Sequence, residues 1–196
     1  MKHLHLFESF STEPATLDVL RQRLAAEFAD YVASEDLDIS TPDDEAYEFD
    51  EFLSREKNLG VDESTGIIDL RYYTPDLYEL LQDLPVGLYH YTSSTLVPSI
   101  QREGLRLGTE QSNPYENSFA GVYLTTEYSG RAIDGYVYNA VQRHGGEGIR
   151  VFVRAYLRDL QPDPDDADIA SGDCQFVADA VSVDDILGIK RLHERL

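Results

Sequence analysis

The sequence has little positive charge and a single cysteine. Its 196 residues include 16 Lys and Arg against 37 Asp and Glu, which gives a formal net charge of −21 at pH 7. A chain with this charge repels phosphate backbones, so the totals argue against tight, salt-sensitive binding of nucleic acid. Cys174 has no second cysteine with which to form an internal disulfide. A reducing compartment is therefore compatible with the sequence.

Long apolar runs are also missing. No stretch approaches the roughly 20 apolar residues that a membrane helix needs, and the N-terminus lacks the apolar core of a secretory signal. Hydrophobic residues nevertheless make up 42% of the chain, with 13 Tyr and 8 Phe, which is enough to pack a core at this length. We therefore expect a soluble, cytoplasmic protein that does not engage a membrane.

The acidic residues concentrate in the first part of the chain. Residues 1–84 contain 21 acidic and 6 basic residues, whereas residues 85–196 contain 16 acidic and 10 basic residues. Three interpretations remain open: solubility in a saline environment, an acidic face that steers a basic protein substrate, and mimicry of DNA.

Hydrophobic periodicity predicts a mainly helical segment over residues 1–84. Residues 12–32 place apolar side chains at spacings of three and four, which is typical of an amphipathic helix. A second helix is predicted over 45–57, a strand within 61–73 and a short helix over 75–84, with an acidic loop over 34–44. We interpret residues 1–84 as an acidic helical cap that docks a substrate.

The pattern in residues 85–196 predicts a mixture of strands and helices. Strands are predicted over 86–92, 105–107 and 121–125, and helices over 95–103 and 129–143, with a polar loop over 108–120. Further strands are predicted over 149–157 and within 173–189, on either side of an Asp- and Pro-rich loop over 161–171. The predicted fold class is therefore α+β.

One set of residues in this second part agrees in class, order and spacing with a known pattern: Leu88, Tyr89, His90, Tyr91, Thr92, Ile100, Glu103, Gly104, Leu105, Arg106, Phe119, Ala120, Gly121, Val122, Tyr123, Leu124, Ser129, Ala132 and Tyr136. This set resembles the NAD-binding half of ADP-ribosyltransferases of the diphtheria-toxin and poly(ADP-ribose) polymerase type. The resemblance implies the ADP-ribosyltransferase fold, a split mixed or antiparallel sheet with flanking helices. It also implies that residues 85–196 are the catalytic domain.

The resemblance implies three catalytic positions. His90 corresponds to the His that hydrogen-bonds the ribose and adenosine side of NAD, and Tyr123 to the Tyr that packs on the nicotinamide. Gln175 falls where the family usually has the catalytic Glu, which acts on the nicotinamide ribose. Asp173 is an open alternative for the third position, because residues 173 and 175 of a strand lie on the same face.

The resemblance also implies a set of residues that bind NAD, which is a substrate of the reaction. The main chain of Tyr91 would hold the nicotinamide amide, and Tyr136 would form a second aromatic wall. The full set is His90, Tyr91, Thr92, Arg106, Tyr123, Ser129 and Tyr136. We assign no metal, because His3 and His5 are two residues apart without an accompanying cluster of Cys or carboxylates.

The function implied by the resemblance is transfer of a single ADP-ribose from NAD to a protein target, with release of nicotinamide. Two alternatives remain open. One is an RNA 2′-phosphotransferase or a nucleic-acid ADP-ribosyltransferase of the same fold, and the other is a catalytically weak module that binds NAD or protein. The acidic first part argues against the nucleic-acid alternative and favours a basic protein substrate.

The first ten residues give a short second resemblance. Leu6, Phe7 and Glu8 match a Leu-x-Glu pattern at which some leaders of tailed-bacteriophage proteins are cleaved after packaging. This implies a bacteriophage protein that acts in the host cytoplasm and is packaged into the virion. An ordinary first strand or helix is the alternative.

Overall fold

The chain is mixed α+β. The computed structural model describes residues 16–62, 64–70, 73, 75–106, 121–126, 131–162 and 175–192. These residues form one mixed eight-stranded sheet, one two-stranded sheet and flanking helices, which confirms the α+β class. No helix in these ranges is both long and apolar enough to cross a membrane.

The bounds of the helices and strands agree broadly with the periodicity of the sequence. The helices are α1 (Thr16–Ser34), α2 (Pro42–Glu56), α3 (Pro75–Leu81), α4 (Val97–Glu103) and α5 (Arg131–His144). The strands are β1 (Leu59–Asp62), β2 (Ile67–Leu70), β3 (Val86–Ser93), β4 (Leu105–Arg106), β5 (Val122–Thr125), β6 (Gly148–Ala155), β7 (Gln161–Pro162), β8 (Gln175–Ala178), β9 (Ala180–Val181) and β10 (Ile186–Arg191). Short 3₁₀ turns cover Ser94–Leu96, Leu157–Asp159 and Val183–Asp185.

Strand β3 is the strand on which the large sheet is built. Along its whole length it pairs antiparallel with β6, which pairs in turn with β10. It also pairs in parallel with β2 at Val86 and Gly87, and antiparallel with β5 where Tyr89 faces Thr125. Because a strand has only two edges and β6 occupies one of them, β2 and β5 share the other. The sheet therefore divides at β3, with β2 and β1 to one side of the division and β5, β8 and β7 to the other.

One face of the sheet is covered by the N-terminal helices. Leu20 of α1 and Phe49 of α2 lie in the same buried cluster as Leu88 of β3 and Val151 of β6. Tyr73 meets Phe176 of β8 edge to face, with 5.1 Å between the ring centroids. The core therefore runs across the boundary between residues 84 and 85. The division into a cap over 1–84 and a catalytic domain over 85–196 stays a prediction.

Helix α2 begins three residues earlier than the sequence pattern predicted. The hydroxyl of Thr41 accepts from the Asp44 N–H at 3.1 Å, and a carboxylate oxygen of Asp44 accepts from the Thr41 N–H at 2.9 Å. This capping box satisfies two main-chain donors, and Pro42 suits the first helical turn. Part of the predicted acidic loop over 34–44 is thus the start of the helix.

The strand predicted within 61–73 is confirmed as β2, whereas β1, which precedes it and joins it through a turn, was not predicted. Asp62 Oδ1 accepts from the Ser64 N–H at 2.9 Å and from the Ser64 hydroxyl at 2.6 Å, and Gly66 has φ 67°. Asp favours turns because its side chain can accept hydrogen bonds from the turn, and Gly favours them because it adopts positive φ without strain. The loop predicted over 161–171 begins with β7, and the remainder of that loop lies outside the described residues, as does the loop over 108–120.

Glycine is required where α4 ends. Gly104 has φ 78° and ψ −166°, a conformation that is almost restricted to glycine, and its N–H bonds the Ile100 carbonyl at 2.9 Å. A Cβ at this position would lie 2.1 Å from the carbonyl oxygen of Val181 on β9. The pairing of β4 with β9 therefore depends on the missing side chain.

We expect Gly104→Ala to lower the free energy of unfolding by about 2 to 4 kcal/mol, because it combines backbone strain with a clash against main chain. Gly135→Ala is the matched control: in the described structure nothing lies within 4 Å of a Cβ at Gly135 in α5. This control should stabilise the protein by up to about 1 kcal/mol through helix propensity. Urea unfolding of both variants checks the pair, and equal midpoints would contradict the assignment.

Candidate functional site

His90 stands at the division of the sheet. It follows Val86 and Leu88 on the core face of β3, and unlike them it is partly exposed. Its Nδ1 lies 2.9 Å from the carbonyl oxygen of Tyr123 on β5. Because a carbonyl oxygen can only accept, Nδ1 carries the hydrogen and donates it. In the neutral ring, Nε2 is then the acceptor.

The environment of His90 favours the neutral form of the ring. Burial lowers the pKa of His90 below its usual range, and the hydrogen bond to the Tyr123 carbonyl opposes this only in part. A neutral imidazole with Nδ1 occupied presents one lone pair, at Nε2. This is the arrangement needed to accept a hydrogen bond from a hydroxyl group of a ligand.

The strand register shows which side chains share a face. Tyr89 pairs with Thr125, and Thr125 pairs with Gln175, so the three form one row across β3, β5 and β8. Since side chains alternate along a strand, Tyr123 and Thr125 share the face of Tyr89, whereas His90 lies on the opposite face. The side chain of His90 therefore reaches the main chain of Tyr123 across the boundary between β3 and β5, which we call the seam.

The other predicted site residues are spread over several elements of the fold. Thr92 is buried and shares the face of His90, whereas Tyr91 is buried on the opposite face. Tyr136 is partly exposed on α5. Gln175 is the first residue of β8. Ser129 and Asp173 lie outside the described residues.

Helix α5 is fixed to the end of β3 by polar contacts. The Ser93 hydroxyl donates to the Gly145 carbonyl, and the Thr95 hydroxyl donates to the His144 carbonyl at 3.2 Å. The Glu147 N–H donates to the Ser94 hydroxyl at 2.9 Å. These contacts anchor the C-terminal end of the helix that carries Tyr136 to the strand that carries His90. The sequence pattern did not identify them, although the consecutive hydroxyl residues Ser93, Ser94 and Thr95 at the end of β3 are a visible signal.

One further polar feature was not predicted. Thr126, directly after β5, is buried, and its Oγ1 has no hydrogen-bond partner in the described part of the chain. Such groups are rare in native structures, and a ligand can supply the missing partner. The pair Thr125 and Thr126 at a strand end was the only signal of this position in the sequence.

Arg106 lines a separate groove of about 340 Å³ between α4 and β9. Its Nε donates to the Glu103 carbonyl at 3.0 Å, which orients the guanidinium, and Arg102 and Ser182 line the same groove. Arg102 is paired with the Glu103 carboxylate at 2.6 Å. The groove therefore offers a planar cation to an anionic group such as a phosphate. Arg102 and Ser182 were not among the predicted site residues.

The comparisons with known proteins add no relative. No protein-family model matches the sequence, and no curated protein matches it either. Within the described ranges, no group of three or more His, Cys, Asp or Glu residues is placed to hold a metal ion. The assignment of a function therefore depends on the geometry around His90 and on the residues of the motif.

We expect the His90 imidazole to titrate with a midpoint below about 6.5, its ordinary value, and to carry its proton on Nδ1 when neutral. Because the unfolded chain then binds more protons than the folded chain, the free energy of unfolding should decrease as the pH falls below about 6.5. His90→Gln should remove this part of the pH dependence. Nitrogen-detected NMR and urea unfolding at several pH values measure the two effects, and a midpoint above 6.5 would refute them.

Proposed function

We propose that this protein is a mono-ADP-ribosyltransferase that transfers ADP-ribose from NAD to a protein target and releases nicotinamide. The observation that carries the proposal is the hydrogen bond between His90 and the Tyr123 carbonyl. It joins the two motif strands and leaves Nε2 as an acceptor for a ribose hydroxyl.

The chemistry required is cleavage of one glycosidic bond. The bond between the ribose C1′ and the nicotinamide nitrogen breaks, and nicotinamide leaves with the electron pair. A nucleophile on the acceptor then bonds to C1′ and loses its proton. His90 orients the ribose, and the rings of Tyr123 and Tyr136 would flank the nicotinamide. Such positioning accounts for a large share of the rate enhancement in enzymes of many kinds.

The position of the seam decides how NAD would lie. Tyr123 and His90 lie on opposite faces of the sheet by register, and β3 pairs with β5 where Tyr89 faces Thr125. A ligand that contacts both His90 and the ring of Tyr123 must therefore lie across this seam. Arg106, in the groove beyond α4, would receive a phosphate at a distance from the reacting bond.

Gln175 at the third position limits the expected rate. A hydrogen bond from a charged group contributes about 1.5 to 3 kcal/mol, against about 0.5 to 1.5 for a neutral one. A Gln in place of Glu therefore costs on the order of 1 to 2 kcal/mol of transition-state stabilisation, or about tenfold in rate. This loss is compatible with single transfers.

A basic protein is the acceptor that the charge distribution favours. Helix α2 carries Asp43, Asp44 and Glu45 in its first turn, and all three are exposed. The first part of the chain therefore presents negative charge that attracts a basic surface over a Debye length of about 8 Å at physiological salt.

We expect calorimetry to detect NAD binding, and His90→Ala to weaken both that binding and the release of nicotinamide, because the acceptor at Nε2 is lost. The decrease in affinity should be about fivefold or more, the value of one neutral hydrogen bond. His144→Ala, at an exposed histidine of α5, is the matched control and should leave both unchanged. Absence of NAD binding at millimolar concentration would remove the enzymatic proposal.

Two further variants decide which residue fills the third position. If Gln175 faces the nicotinamide ribose, Gln175→Glu should raise nicotinamide release about tenfold, and Asp173→Asn should have little effect. If Asp173 is the working carboxylate, Asp173→Asn should abolish transfer, and a second carboxylate at 175 should hinder it by charge repulsion. The wild-type protein could bind NAD yet release nicotinamide no faster than uncatalysed hydrolysis, with no gain from Gln175→Glu. In that case the protein would be a binding module and not an enzyme.

A further inference from the structure

Strand β10 forms a free edge of the large sheet. It pairs with β6 on one side, and no strand of the described ranges pairs with its other side. The other two terminal strands are less suited to accept a partner, because β1 has four residues and ends at Asp62, and β7 is a two-residue strand that contains Pro162. Strand β10 has six residues and contains no Pro, Asp or Glu. Such an edge is a template for a further strand.

A hydrogen bond just after β10 shows which of its main-chain groups face outwards. The Leu192 N–H donates to a carbonyl of β6 at 3.0 Å. Because main-chain groups alternate in direction along an antiparallel strand, Lys190 and Gly188 also bond β6. Ile189 and Arg191 therefore direct their main-chain groups to the free edge. Each of these two residues offers one N–H and one C=O to a new strand.

The start of β10 is apolar and irregular. The register with β6 shifts between Ile186 and Gly188, so Leu187 is an extra residue at a β-bulge. Leu187 and Val183, in the 3₁₀ turn before the strand, are each 38% exposed. A partner strand would therefore find apolar contacts at this end of β10 and regular main-chain pairing after Gly188.

The charge along β10 is opposite to that of the whole protein. Strands β3, β6 and β10 pair in that order and contain no Asp or Glu, although the chain has 37 acidic residues in 196. Arg191 is paired with Glu147 at 2.9 Å, whereas Lys190 is exposed and forms no salt bridge with a described residue. The side chains of Lys190 and Ile189 lie on opposite faces of the sheet. A strand along this edge would therefore meet an ammonium group on one face and an apolar side chain on the other.

We propose that β10 binds an extended peptide of another protein, in which acidic and apolar residues alternate, as an additional antiparallel strand. The main chain of Ile189 and Arg191 bonds the peptide. An acidic side chain of the peptide lies beside Lys190, and an apolar side chain lies beside Ile189. The peptide lies within a Debye length of Lys190, about 8 Å, so this local charge outweighs charges further away.

The same features disfavour a second copy of this chain as the partner. Each copy carries a net charge of −21. Antiparallel registers centred on Lys190 or on Arg191 would place like charges opposite each other, which is destabilising. Lysine on an edge strand commonly prevents such self-pairing. Lys190 therefore excludes its own kind and admits an acidic strand.

The proposed site is separate from the candidate NAD site. Strands β6 and β3 lie between β10 and the seam. An added strand extends the sheet sideways, so it needs access to the edge alone and to neither face. The proposal therefore does not depend on NAD chemistry.

The test is fluorescence anisotropy of the full chain with a labelled peptide of about eight residues in which Val and Glu alternate. Arg191→Pro and Arg191→Gln form the matched pair. Both remove the ion pair with Glu147, but only proline removes the outward N–H, and an edge strand tolerates proline at such a position. The Pro variant should bind the peptide about fivefold more weakly than the Gln variant. Equal affinities would overturn the proposal.

Two further comparisons separate strand addition from general charge attraction. Lys190→Gln should weaken binding of the peptide about two- to fivefold, because the cross-strand charge pair is lost. Polyglutamate of the same length should bind more weakly than the alternating peptide, since it has no apolar side chain to place beside Ile189. No binding of the alternating peptide, or equally tight binding of polyglutamate, would overturn the proposal.

Amide hydrogen exchange of the wild-type chain, followed by NMR, tests the main-chain contacts directly. The amides of Gly188 and Lys190 should be protected with and without the peptide, whereas those of Ile189 and Arg191 should become protected only when the peptide is bound. Protection of Ile189 and Arg191 without peptide would show that the edge is already covered. Together with sedimentation as a dimer, it would identify a second copy as the partner. Either result would overturn the proposal, even if Arg191→Pro fails to fold.

Discussion

Strand β3 has two edges and three partners, and the rest of the structure depends on this constraint. Strand β6 takes one edge completely, so β2 and β5 must divide the other. The division creates a seam in the middle of the sheet. A side chain, His90, bonds main chain across that seam. The same geometry that interrupts the sheet therefore fixes the tautomer of His90, whose pKa is lowered by burial.

Local features of the structure could be read from the sequence, whereas pairings between distant strands could not. Hydrophobic periodicity predicted the strand over 86–92 and the helix over 129–143 because burial of a face is a local property. The capping box of Thr41 and Asp44 was also visible in the sequence and was missed. At the site, the motif pointed to His90 and Tyr123, but the hydrogen bond between them uses the main-chain carbonyl of Tyr123. Every residue has such a carbonyl, so the identity of residue 123 could not predict this hydrogen bond.

The charge totals of the sequence concealed a local reversal of sign. Summed over the chain, acidic residues outnumber basic residues by more than two to one, and this argued against nucleic acid. The strands without acidic residues are separated by about half the chain, and only the order β3, β6, β10 places them side by side. A potential at a surface depends on the charges within about a Debye length, so the order of strands can outweigh the total.

The core that joins α1, α2 and β3 also has a consequence for synthesis on the ribosome. The helices that cover the apolar face of β3 precede it in the chain, so Leu20 and Phe49 are available when Leu88 emerges. Strand β6, which pairs with β3 along its whole length, ends at Ala155. It is therefore complete only some sixty residues after the end of β3. Until then that edge is an open template for pairing with another chain. The period of greatest exposure to aggregation thus falls between the completion of β3 and that of β6.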